Sequence, residues 1–88
     1  MKVQAEVSLY PLREQHLAEP IQQFVKSLAN DNLQIKVGSM STIMAGDSHV
    51  VFECIKKAFE QIAERYEAVV TIKISNACND GQADRVEN

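Results

Sequence analysis

At the start of this 88-residue chain, Val3, Ala5, Val7 and Leu9 alternate with Gln4, Glu6, Ser8 and Tyr10. A period of two puts each set on its own side of the backbone, so this segment is a strand with one buried face. Pro11 marks its end, because proline cannot donate to a ladder. Leu17, Ile21, Phe24, Val25 and Leu28 then recur at helical spacing and predict a first helix over about 17 to 30. Pro20 is compatible with that helix in its first turn, where a missing N–H costs nothing. "NDN" at 30–32 stops it.

The alternation returns at Leu33, Ile35 and Val37. Ser39 and Met40 make a turn, and "STIMA" is the next strand, with a register left open because Ile43 and Met44 are adjacent. Gly46 breaks that strand, and Asp47 or Ser48 is a natural N-cap. Val51, Ile55, Ala58, Phe59, Ile62 and Tyr66 mark the stripe of a second helix. Val70, Ile72 and Ile74 form the inner row of a last strand, with Val69, Thr71, Lys73 and Ser75 outside. The order is β-α-β-β-α-β. Two right-handed crossovers turn it into an α+β ferredoxin-like sandwich, a four-stranded antiparallel sheet with both helices on one face. The expectation is a single domain over 1–76 and a polar tail over 77–88, with strands one and three as parallel neighbours at the centre. The other sheet face, carrying Gln4, Glu6, Ser8, Tyr10, Lys36, Thr71, Lys73 and Ser75, stands bare.

Composition narrows the function classes. A net charge of −3 argues against a nucleic-acid surface, which needs clustered Lys and Arg. No apolar run approaches the ~20 residues of a membrane span. The first ten residues interleave polar side chains and lack the continuous apolar region of a secretory signal, so a cytoplasmic protein is expected. Cys54 and Cys78 are far apart and in no metal spacing, and two free thiols with no disulfide are expected.

The chemistry-bearing residues are sparse. His16 and His49 read as solvated histidines, and no nucleophile–base–orienter set can be drawn. "YPLREQ" places Arg13 after strand one but has no glycines to aim backbone N–H groups at a phosphate. There is no C-x-x-C metal motif. Tyr10 alone hints weakly at base stacking.

The hydroxyls of Ser39, Ser41 and Thr42 stand out, because each can donate and accept. They suit either ordinary turn chemistry or a surface that holds a flat ring. Asp47 sits at a strand-to-helix elbow, where a helix N-terminus favours a carboxylate. Glu6 must reach water, a ligand, or Lys73 on the neighbouring strand.

"AEVSLYPL", "VGSMSTIMAGD" and "IKKAFEQIAE" resemble the thiamine-binding protein family of the YkoF-like type, over about residues 2 to 76. The chain has Ser39-Met40-Ser41 where members tend to have Pro-Met-Gly, and Ala45 where they often carry a glutamate. The resemblance implies a ferredoxin-like fold and oligomers built by packing sheets together. It also implies a non-enzymatic protein that binds thiamine or its hydroxymethylpyrimidine moiety, with no other cofactor. Carried over by position, Thr42, Asp47, Ser8 and Tyr10 are candidate ligand contacts. Glu6 is added on physical grounds, since a carboxylate suits a protonated aminopyrimidine. Ser39 and Asp47 lie at opposite ends of strand three, roughly 17 Å apart, so a single ring cannot touch both in one subunit. A homodimer or homotetramer is expected. The alternative function is a structural or regulatory interaction module without a small-molecule ligand, and a small enzyme ranks third.

Overall fold

The computed structural model describes residues 1–77. Its elements are β1 (Lys2–Leu12), α1 (Ala18–Ser27), β2 (Gln34–Val37), β3 (Thr42–Asp47), α2 (Ser48–Ala63) and β4 (Glu67–Ser75). The strands form one sheet in the order β2-β3-β1-β4 with every pairing antiparallel. This is the expected sandwich, with one correction. β1 and β3 are neighbours at the centre, but they run antiparallel, Lys2 facing Asp47 and Val7 facing Thr42. The reason is topological. The α1 crossover makes β2 parallel to β1, and the hairpin from β2 sends β3 back between them.

The period-two pattern of β1 is realised in full. Val3, Ala5, Val7 and Leu9 are buried under the helices, whereas Gln4, Glu6 and Ser8 are half-buried and Tyr10 is exposed on the open face. α2 contributes Val51, Cys54, Ile55, Ala58 and Ile62 to the core, with Phe59 and Tyr66 packed at its margin. Phe24, Leu28, Met44 and Ile62 are each at most 2% exposed, and burial of side chains this size contributes about 1.5–3 kcal/mol apiece. The open register of β3 resolves with Thr42 and Met44 inward, while Ile43 faces out opposite Glu6.

α1 is shorter than its apolar spacing suggested, and Pro20 lies in its first turn as expected. Its stripe is only partly covered. Phe24 and Leu28 are buried, Val25 is half-buried, and Ile21 and Leu17 are exposed. Gly46 allows a close approach: an added Cβ would lie 2.6 Å from the end of Leu33 and 3.3 Å from the Asn32 carbonyl oxygen. No helix among the described residues is long and apolar enough to cross a membrane. Cys54 is a free thiol; Cys78, and with it the expected absence of a disulfide, lies outside the described residues.

Candidate functional site

The sheet separates the five candidate residues. Glu6, Ser8 and Tyr10 share the open face of β1. Thr42 lies directly opposite Val7, so its side chain is on the helix face. Asp47 is at the far end of β3, paired with Lys2 and exposed. No single cavity collects all five.

Asp47 acts as the N-cap of α2. Its carboxylate accepts from the His49 N–H at 3.0 Å and lies 3.4 Å from the Met1 ammonium. The backbone hydrogen bond, then the ammonium, holds its carboxyl below the ordinary value of 3.8. That is the capping chemistry of its position, with His49 and its exposed imidazole in the first turn.

Glu6 and Ser8 are fastened to the β2–β3 loop. Ser41 Oγ donates to Glu6 Oε2 at 2.7 Å, and Ser8 Oγ donates to the Met40 carbonyl at 3.2 Å. The Gly38 N–H closes the loop onto the Ser41 carbonyl at 2.9 Å. Lys73 is the cross-strand neighbour of Glu6, yet it forms no ion pair among the described residues. A shallow depression of about 270 Å³ on the open face includes Gln4, Glu6, Ile43 and Lys73.

The other side of the loop forms a deeper feature. A groove of about 380 Å³ runs between α1 and the β2–β3 loop. Ile21 and Val25 form one wall, and Val37 and Met40 the other; Phe24 and Thr42 lie inward. Thr42 is 4% exposed, the one buried polar residue among those described. Its hydroxyl has no hydrogen-bond partner among them, and no sealed side-chain oxygen is left unsatisfied, so the hydroxyl keeps its access to the groove. Ser39 and Ser41 add hydroxyls at the mouth, and Lys26 is the one charged side chain lining it.

The sequence marked Thr42 and the serines but missed Ile21, Val25, Val37 and Met40, which read as core or turn. The available signal was a helix stripe wider than a four-stranded sheet covers, beside an unpaired methionine in a turn.

A second cluster sits where α1 meets α2. Cys54 Sγ donates to the Leu28 carbonyl at 3.0 Å, and burial pushes its thiol pKa up, with Lys57 opposing. The cluster joins helices, and no group of His, Cys, Asp and Glu among the described residues could hold a metal ion.

A profile of the family described as thiamine-binding protein matches residues 5–86. Comparison with curated proteins gives no match. Several solved structures share the fold. A hypothetical protein of Methanocaldococcus jannascii is 22% identical with a TM-score of 0.79, covering 89% of this chain and 82% of its own. A Streptococcus pneumoniae protein is 19% identical with a TM-score of 0.79, covering 85% and 86%. A Thermotoga maritima protein provisionally assigned to thiamine biosynthesis or salvage is 18% identical with a TM-score of 0.78, covering 92% and 87%. At these identities the likeness establishes the fold alone.

Proposed function

The chain belongs to the thiamine-binding protein family, and on that premise we propose that it is a non-catalytic binding protein whose α1–loop groove holds the pyrimidine ring of thiamine or of free hydroxymethylpyrimidine. The observation that carries this is Thr42, a residue only 4% exposed, whose hydroxyl has no partner among the described residues and opens onto an otherwise largely apolar groove. A ring needs flat apolar walls and a few placed polar groups, and small-ligand sites typically span about 300–1,000 Å³. Ile21, Val25, Val37 and Met40 supply the walls; Thr42 and Ser39 supply donors and acceptors for ring nitrogens and an exocyclic amine, while the Ser41 hydroxyl is committed to Glu6. Glu6 holds the loop from behind, Ser8 bonds the Met40 carbonyl and itself lines the groove, and Asp47 caps α2 away from the proposed ligand. No histidine, cysteine or carboxylate lines the groove, which favours binding over acid–base chemistry. A cytoplasmic carrier or sensor of the vitamin fits this reading.

Isothermal titration with thiamine and with hydroxymethylpyrimidine tests it. The parent binds at least one of them, and Ile21→Trp, which fills the groove from an exposed helix position, abolishes binding without lowering the melting temperature. A parent that binds neither, or an Ile21→Trp protein that binds like the parent, overturns the proposal.

A further inference from the structure

The groove between α1 and the β2–β3 loop has charge of one sign only. Lys26, exposed in the last turn of α1, is the single charged residue among those lining it, on the side of the helix that also carries Ile21, Gln22 and Val25. The residues three and four positions from it are Gln22, Gln23, Ala29 and Asn30, so no carboxylate stands where a helical partner would. It enters no ion pair among the described residues. The loop on the opposite wall adds neutral donors. The Ser39 hydroxyl and the Ser39 and Met40 N–H groups make no hydrogen bond within the described residues, whereas the Met40 carbonyl already accepts from Ser8 Oγ.

Given the pyrimidine-binding role proposed for the groove, on which this rests, we propose that its preferred ligand class is a phosphate monoester of the hydroxymethylpyrimidine, selected by Lys26 through the charge on the arm of the ring. That arm is a methylene, and it carries a neutral hydroxyl in the free alcohol, a phosphate in the ester, and a thiazolium cation in thiamine. With the ring against Thr42, which lies inward beside Phe24, the arm is left at the mouth. A phosphate there meets an ammonium with no other partner and a loop with unused donors, and hydrogen bonds between charged groups are about twice as strong as neutral ones. A thiazolium meets the same ammonium as a like charge. No carboxylate lines the groove to offset it, and the one aromatic lining residue, Phe24, is 2% exposed and cannot offer its ring face to a cation at the mouth. Lys26 also faces the C-terminal dipole of α1, an effect on stability that leaves the ratio of two ligand affinities untouched.

Isothermal titration of the full chain with the phosphate ester, the free alcohol and thiamine at low ionic strength tests it. The ester binds roughly tenfold tighter than the alcohol, the low end for a charge-assisted hydrogen bond because Lys26 is exposed, and thiamine binds more weakly than the ester. Added salt narrows the gap between ester and alcohol, as screening of an exposed charge requires. Lys26→Gln brings the two affinities together, whereas Lys73→Gln, on the open face, leaves their ratio as in the parent. Inorganic phosphate at the concentration of the ester does not displace it, because the ring supplies the rest of the binding. An ester bound no tighter than the alcohol, thiamine bound as tightly as the ester, a parental ratio in Lys26→Gln, a ratio moved as far by Lys73→Gln, or displacement by inorganic phosphate alone overturns this inference and leaves the pyrimidine site standing. A parent that binds none of the three ligands overturns both.

Discussion

Ser41 Oγ donates to Glu6 Oε2 across 2.7 Å, tying the β2–β3 loop to the middle of the central strand. The loop is one wall of the groove, so a carboxylate on the open face sets the shape of a cavity on the other side.

Ser41→Ala therefore separates support from contact. A hydrogen bond to a carboxylate contributes about 1.5–3 kcal/mol where water is excluded, and less at this half-buried site. The melting temperature is expected to fall slightly, while ligand affinity drops several-fold as the loop relaxes. Glu6→Ala is expected to give the same affinity loss, and Ser41→Ala together with Glu6→Ala no more than either alone. Additive losses in a double-mutant cycle would instead show Glu6 touching the ligand directly.

Thr42→Val removes the hydroxyl and keeps the branched shape. Losing one neutral hydrogen bond costs about 0.5–1.5 kcal/mol, which is a few-fold to roughly tenfold in Kd. Stability should hold or rise, because no protein partner is orphaned. Titration calorimetry beside melting curves reads both, and an unchanged Kd would remove Thr42 from the site.

Asp47 links stability to pH. Its folded pKa lies below its ordinary 3.8, so its contribution is complete above that value and is lost as the pH falls through the depressed folded value. Asp47→Asn retains capping but not the charge. Parent and variant melts are thus expected to differ near neutrality and to converge toward pH 2. Ligand affinity should be unchanged in Asp47→Asn, since the cap lies five residues along β3 from Thr42.

Cys54 is expected to react far more slowly with a maleimide in the folded protein than in urea. It is 8% exposed, its S–H is given to the Leu28 carbonyl, and its thiolate is disfavoured by burial. Equal rates in the two conditions would contradict the packing of α2 on α1.

Gly46→Ala brings a methyl group within 2.6 Å of Leu33 Cδ2. Leu33 can rotate, but the Asn32 carbonyl at 3.3 Å cannot easily retreat. A loss of about 1 kcal/mol is expected from denaturant unfolding, with no change in ligand affinity.

Strand and helix order, the cap at Asp47 and the inward row of β1 were all legible in the sequence, because each follows from a period or a local hydrogen bond. The direction of β3 against β1 was not read from that order, although the chain path determines it. The groove was harder still. Periodicity shows that Ile21, Val25 and Val37 are apolar on the proper side, but not that the sheet ends before covering them. Which face Thr42 takes was equally hidden, since Ile43 and Met44 offered both registers. Ile72 and Ile74 show the same limit: they occupy inner positions on a strand that no helix fully overlies.

Every side chain lining the groove comes from the stretch between Val7 and Thr42. The remaining half, α2 and β4, underpins that stretch without touching its contents. On the proposed reading, recognition and scaffolding therefore fall in separate segments of the chain. Substitutions in the first segment are then the ones expected to retune what is held, and those in α2 and β4 to act through packing.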